Sequence, residues 1–348
     1  MEEELYQGNR GIILEELSPS ALMLGANDRV AHTITNPTFN WIEFFSRGEL
    51  QIGTFFDTLG CVSFSANKVV EAILNYLIAH NQLAAKNVQW LKDNGYIGED
   101  GKVNLSDRFL VAMSGTTEQG NTGEKVWWTI RNFGAVPEYM ASWDRGRDVP
   151  YQQRFETWYR NPANISQAAK DLGKEFVARF AVFFEWVNTS KEGLLYGLVY
   201  SPVQVYIPTD CPTVNTVQQA CSAGITHAVS VCDDLEPRGY WPLFDHYTKQ
   251  PQEEGQERFI RRVAPNYPFY SYGVVCTIAE KNITSEDMSN NFVRVVKDAN
   301  GSAVGYFLPA HSPAMIEQMA ALYGKTVPKN EKGEIDWNKF IEGTVTFK

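Results

Sequence analysis

Cys61, His227 and Asp245 are the residues whose types and order can do covalent chemistry. A thiol becomes a nucleophile when it ionises, and three local features favour that at Cys61. It follows Gly60, which allows close approach of backbone or ligand. It begins a helical pattern, whose N-terminal partial positive charge favours a thiolate. That pattern is amphipathic, so its first residue can be fixed in a cleft wall. His227 opens the alternating run His227-Ala228-Val229-Ser230-Val231-Cys232, and a strand start is a rigid platform for a general base. A Cys–His pair needs a third group to orient the imidazole. Asp245, in the next strand-like run (241–247), is placed to do so if the two strands are antiparallel neighbours. The competing readings are a buried cysteine capping a core helix, a structural histidine and an ordinary turn aspartate.

The elements that must position these groups fall into two textures. Residues 1–45 read as an extended arm with short helical pieces. Phe64, Val69, Ala72, Ile73, Tyr76 and Leu77 recur at three- and four-residue steps, predicting a helix from Cys61 to about Ala79. Further helices are expected at 85–95, 105–114, through Trp127 to Gly134, at 165–174 and at 192–199, with a linking segment over 140–163. Strands are expected at 176–186, 203–207, 227–232, 241–247 and 272–279. Residues 292–297 and 304–308 flank Asp298-Ala299-Asn300-Gly301, a strong hairpin turn. A helix over 312–323 and a small tail over 325–348 complete the pattern, with Trp337 and Phe340 as core contacts of that piece. A helix-rich front and a strand-rich back predict an α+β fold of two lobes.

Bulk composition narrows the function classes. The 348 residues are 44% apolar and 21% charged, with a net charge of −10. An acidic chain without a basic stripe argues against a nucleic-acid partner. Arg258, Arg261 and Arg262 form the only basic cluster, read as a solvated face. No stretch of about 18 apolar residues is present, so no membrane partner is expected. The acidic start Met1-Glu2-Glu3-Glu4 is opposite to a signal peptide, so a cytoplasmic or virion-associated location is expected. The five cysteines do not suggest a disulfide framework. Cys211, Cys221, His227 and Cys232 lack the CxxC pairs of structural zinc sites, and no metal or other cofactor is expected. A Cys211–Cys221 disulfide is compatible with the spacing.

Taken in order, the motifs resemble the papain-like cysteine peptidase family. Gly60-Cys61-Val62-Ser63-Phe64-Ser65-Ala66 is similar to that family's nucleophile motif, and Thr226-His227-Ala228-Val229 to its Asn-His-Ala-Val. Asn104-Leu105-Ser106-Asp107-Arg108-Phe109-Leu110 resembles its Leu-Ser-Glu-Gln helix start. Tyr200-Ser201-Pro202-Val203 resembles the Gly-Pro-Val strand before the histidine. The loop of Gly120, Asn121, Thr122 and Gly123 resembles its Gly-Gly substrate wall. The resemblance covers about residues 45–280. It implies a helical lobe carrying the Cys helix (46–163), an antiparallel β lobe carrying the His (164–280), the arm before them and a hairpin–helix extension over 281–348.

By the same resemblance the chain is a cysteine endopeptidase acting on a protein or peptide substrate through an acyl-enzyme. Gly60, Thr226 and the 120–123 loop would line the substrate, and Gln51 would assist the Cys61 N–H in the oxyanion hole. Three positions depart from the family pattern. Phe55 stands where the family has that glutamine, Val62 where it has tryptophan, and Asp245 where it has asparagine. These departures keep two alternatives open. One is a catalytically silent scaffold serving as a binding or virion module; the other is a Cys-His-Asp amidase or transpeptidase on cell-wall peptides.

Overall fold

The computed structural model describes residues 11–17, 23–24, 36–51, 57–142, 158–236, 238–247, 259–281, 294–297, 303–307 and 329–333. At its centre is helix α1 (Cys61–Ala79), which is buried on every side from Cys61 to Leu77. Its polar positions are therefore bonded inward. Asn75 donates to Phe44 O (2.8 Å) and accepts from Val103 N (2.8 Å). Asn67 donates to Asp107 (2.9 Å). Gln204 donates to Val62 O (2.9 Å) and Ser65 Oγ (2.6 Å), and accepts from Trp127 Nε1 (2.8 Å). Lys68 and Glu71, both fully enclosed, pair at 2.6 Å. Lys68 also donates to Ser46 Oγ and Arg47 O, and Glu71 accepts from Leu105 N (2.7 Å). A buried ion pair contributes little net stability, but a single unpaired member is costly. This pair thus pins the 46–47 segment and the residues leading into the helix at Asp107–Met113 to α1.

Around α1 stand α2 (Ala85–Asp93), α3 (Asp107–Met113) and α4 (Gly123–Phe133). Ser106 caps α3 through Phe109 N, and Thr122 caps α4 through Lys125 N. Helix α4 ends where Gly134 takes a positive φ of 76°. Its Cβ-less contact with Gly173 O lets α4 lie against α5 (Gln167–Arg179). A short helix, α6 (Lys191–Leu198), follows strand β1 (Phe180–Asn188). Phe176 belongs to α5, not to a strand. Ala169, Leu172, Gly173 and Phe176 form its buried face at helical steps, so α5 persists to Arg179 and delays β1.

The strand half is one sheet of eight strands: β1, β2 (Val203–Ile207), β3 (Thr213–Val214), β4 (Val217–Gln218), β5 (His227–Val231), β6 (Trp241–Phe244), β7 (Ile260–Val263) and β8 (Tyr272–Glu280). Their spatial order is β1-β8-β2-β5-β6-β7-β4-β3. Every pairing is antiparallel except β4 with β7. The fold is α+β, as the sequence texture predicts. Strands β9 (Arg294–Lys297) and β10 (Ala303–Phe307) form the expected antiparallel hairpin. The helix expected at 312–323, and Trp337 and Phe340, lie outside the described residues. No helix among the described residues is long and apolar enough to cross a membrane.

Replacing Lys68 alone by Met is expected to lower unfolding free energy by about 3–5 kcal/mol, because Glu71 is left buried and unpaired. The double variant Lys68→Met/Glu71→Leu should recover at least half of that loss. Urea denaturation of the three proteins checks both values.

Candidate active site

Cys61 is the first residue of α1, with Gly60 as its N-cap. The glycine is a packing requirement: a Cβ there would lie 2.6 Å from Val111 Cγ2 on α3. Helix α1 packs along β5, and the backbone N–H of Ala228, next to His227, acts to lower the Cys61 thiol pKa. Register carries this placement across the sheet, since Ile207 pairs with His227 and Tyr206 with Ala228. Thr226 N donates to Ile207 O (3.0 Å), and its hydroxyl meets that of Thr209 (3.1 Å). Thr226 thereby fixes the strand start that carries His227.

Asp245 lies one residue beyond β6, beside β5, because β5 and β6 are antiparallel neighbours. The predicted strand 241–247 stops at Phe244, where Asp245 N still bonds Phe259 O (2.8 Å) and the chain then bends. His227 Nε2 sits 2.7 Å from Asp245 Oδ1. The same oxygen accepts from Tyr247 N (2.9 Å), and Oδ2 accepts from Arg261 Nε (2.6 Å). Burial alone would push this carboxyl pKa up. The charges of Arg261 and His227 and these hydrogen bonds outweigh it, holding Asp245 well below the usual carboxylate range. Arg261 is therefore no part of a solvated face. It is 3% exposed and turned inward, because a buried carboxylate offers it a partner.

His246, the next residue, is held neutral. Burial and the Lys68 charge lower its pKa to about 3, while Nδ1 bonds Glu49 O at 2.6 Å. It packs edge-on against Phe64 of α1. Gln51 reaches the same neighbourhood through Tyr247. Its Nε2 donates to Tyr247 O–H (3.1 Å) and to Asp57 (3.0 Å), and Tyr247 O–H in turn donates to Asp57. The Tyr247 ring stands edge-on to the His227 ring at 5.0 Å. The Gln51 amide hydrogens are thus committed to these two partners. Cys211 and Cys221 form a disulfide, which removes both thiols from any metal set with His227 and Cys232.

The 120–123 loop is built to receive extended backbone. Asn121 N donates to Gly11 O (2.9 Å), and Asn121 O accepts from Ile13 N (2.8 Å). Its side chain folds back on Ser114 and Thr116, fixing the loop. Gly123 admits the Tyr206 hydroxyl, which a Cβ would meet at 2.0 Å. The N-terminal arm fills this edge in parallel orientation. Gly11 (φ 110°) is wedged between Gly120 (φ 97°) and Leu59: a Cβ on Gly120 would lie 2.1 Å from Gly11 O, and one on Gly11 2.0 Å from Leu59 O. Leu59 is two residues before Cys61. The arm continues through Glu15, whose side chain accepts from Glu124 N (2.8 Å) and whose carbonyl accepts from Tyr270 O–H (3.1 Å).

Cys61 is fully buried in this arrangement. Burial pushes its thiol pKa well up, and Asp57 and Asp245 add to the rise. The N–H groups of Ala228 and Val62 oppose it without prevailing. The thiol is therefore protonated while it stays enclosed.

No protein-family model matches the chain, and no curated protein does. Its fold is similar to that of the digestive procathepsin L2 proteinase from Tenebrio molitor larval midgut, at a TM-score of 0.46 and 15% identity over 80% of each chain. Xylellain, a cysteine protease from Xylella fastidiosa, gives 0.45 and 11% over 78% of this chain and 97% of that one. Recombinant stem bromelain precursor gives 0.43 and 14% over 70% of each. The solved structures it resembles are papain-like cysteine proteases. Identities of 11–15% and TM-scores below 0.5 leave the chemistry to be argued from this chain's own residues.

Sequence reasoning missed Arg261, Tyr247 and Asp57 as neighbours of the site. Only the run Ile260-Arg261-Arg262-Val263, basic residues between β-branched ones, hinted at a strand there.

Gly11→Val is expected to expel the arm, since its side chain would collide with Leu59 O. Hydrating the thiol lowers its pKa, so alkylation of Cys61 should begin at lower pH and run at least about 10-fold faster at pH 7.5. Iodoacetamide labelling with peptide mapping, which separates Cys61 from Cys232 and Cys276, checks this. Unchanged labelling would remove the arm's role.

Proposed function

We propose that the chain is a cysteine endopeptidase whose nucleophile is Cys61, with His227 as acid and base and Asp245 as its orienting group. The observation that carries this reading is the buried His227 Nε2–Asp245 pair at 2.7 Å on the sheet along which α1, with Cys61 as its first residue, packs. Bonding of Nε2 to Asp245 makes Nδ1 the ring nitrogen that serves the thiol. Helix α1 adds its N-terminal dipole, and the Cys61 N–H is one of the donors a helix leaves unused at its start.

The substrate class follows from Asn121. Its backbone N–H and C=O bond an extended segment of the arm, which is how an exposed edge captures peptide backbone. A substrate would replace residues 11–13 there and present a carbonyl to Cys61. His227 accepts the thiol proton, and the thiolate attacks the carbonyl carbon. The oxyanion is held by the Cys61 N–H. The imidazolium then protonates the leaving amine as the C–N bond breaks. Water, deprotonated by His227, hydrolyses the thioester and returns the proton to sulfur. Gln51 joins the oxyanion hole only if Asp57 and Tyr247 release its amide.

That commitment of Gln51, with the enclosed and protonated thiol, is what favours the second reading: a silent scaffold that binds extended peptide without cleaving it. The test uses the Gly11→Val protein and an unmodified denatured protein as substrate. Cleavage that falls at least about 1,000-fold in Cys61→Ala and in His227→Ala, and less in Asp245→Asn, supports the peptidase. Absent cleavage, with a peptide of the arm sequence still binding the Gly11→Val protein, supports the scaffold.

A further inference from the structure

Asp245 is held on two sides. Oδ1 faces His227 and Tyr247 N, and Oδ2 faces Arg261, whose Nε stands at 2.6 Å and Nη2 at 2.5 Å. Arg261 projects from β7, where its backbone pairs with Leu243 of β6, two residues before Asp245. Its other terminal nitrogen, Nη1, donates to Gln218 Oε1 at 2.8 Å. Gln218, on β4, is itself buried, and its Nε2 donates to Thr209 O (2.7 Å) and Cys211 O (3.0 Å). Those carbonyls belong to the segment that follows β2 and leads into the Cys211–Cys221 disulfide. Tyr267, which feels the Arg261 charge, donates its hydroxyl to Pro208 O (2.7 Å) in the same segment.

We propose that Arg261 is a positioning residue of the triad: tied through Gln218 to the segment that leads into the Cys211–Cys221 disulfide, it fixes the Asp245 carboxylate so that Oδ1 meets His227 Nε2, and it offsets the carboxylate charge that His227 experiences. The assignment rests on the reading of Cys61 and His227 as the reacting pair. A carboxylate bonded through one oxygen only can rotate about its χ2. Bonding the second oxygen to a forked cation that is itself anchored removes that freedom. It also changes the electrostatics. A lone buried aspartate would strongly favour the imidazolium, whereas an Asp–Arg pair has no net charge and orients the ring without over-stabilising its charged form. The imidazole can then both accept and return a proton near neutral pH.

Among the described residues, the charged and titratable groups in direct interaction with His227 are Asp245, His246 and Tyr247 after β6; Arg261 from β7 acts on it through Asp245, and Lys68 acts on His246. With His246 held neutral, the Asp245–Arg261 pair is the charge bonded to the ring.

The test reads the imidazole directly. The full chain with 15N-labelled histidine is titrated by NMR, with His227→Ala assigning the resonance, in wild type, Arg261→Gln, Arg261→Lys and Gln218→Leu. Arg261→Gln exposes His227 to an uncompensated carboxylate and should raise its titration midpoint by about one pH unit, a tenfold change in proton affinity. Arg261→Lys keeps the charge and should hold the midpoint near wild type. Gln218→Leu keeps the ion pair but loosens its anchor, and should speed exchange of the His227 Nε2 proton. A folded Arg261→Gln with an unmoved midpoint overturns the proposal. If Arg261→Gln does not fold, a Gln218→Leu protein whose Nε2 proton exchanges as in wild type overturns it instead. No step of this test requires turnover. A chain that cleaves nothing but responds as expected loses the peptidase reading and keeps the Asp245–Arg261 coupling.

Discussion

The described fold is arranged around a helix whose first seventeen residues are all buried. Enclosure of α1 from Cys61 to Leu77 is the dominant constraint. A helix buried all round cannot leave its polar side chains to solvent, so most of those it carries become directed ties. Asn75 and Glu71 gather the backbone at 103 and 105, Lys68 gathers the 46–47 segment, and Ser65 with Gln204 fastens the sheet. The helical elements and the sheet thus meet on one rod, and its N-terminal end carries the thiol. A helix N-terminus cannot be aimed more rigidly than by burying the rest of its length.

That rigidity has an electrostatic consequence. The features that place Cys61 beside β5 also remove it from water, and desolvation opposes the thiolate more strongly than two N–H bonds favour it. The helix dipole can act fully only when water or a substrate enters. Close by, Gly11 of the arm fills the gap between Leu59, two residues before Cys61, and Gly120 with backbone alone. The same geometry explains the glycines at 11 and 120: positive φ and contacts near 2 Å exclude any side chain at either position.

On the sheet side, the histidine and its carboxylate are set by register rather than by proximity in sequence. β5 and β6 are antiparallel, so a residue just past β6 lies beside the start of β5. Arg261 comes from the next strand over, and Gln218 from the strand beyond it. Four neighbouring strands each contribute one member to a single polar line. The sheet is therefore more than a support for His227, since its strand order decides which charges the imidazole meets.

Much of this was legible in the residues. The three- and four-residue spacing from Phe64 to Leu77 marks α1 to its first and last residue, because a long apolar face leaves little choice of period. Alternation marks 203–207 and 227–231, and an Asn-Gly turn marks the β9–β10 hairpin. Cys61, His227 and Asp245 stand out by type and order. The pairing of His227 with Asp245 was decided elsewhere, because strand pairing is non-local and a residue's partner across a sheet leaves no trace in its own neighbourhood. For the same reason Arg261 reads as a surface cation. Guanidinium groups are exposed by default, and only a buried carboxylate sixteen residues away turns this one inward. Residues 11–13 carry no periodic signal, because they take their hydrogen bonds from an edge that exists only after the loop at 120–123 has folded. The sequence determined which groups could react and which helix carries the thiol; tertiary structure alone decided that the thiol is enclosed and which charges meet the His227 imidazole, since both depend on contacts between segments that the chain does not place side by side.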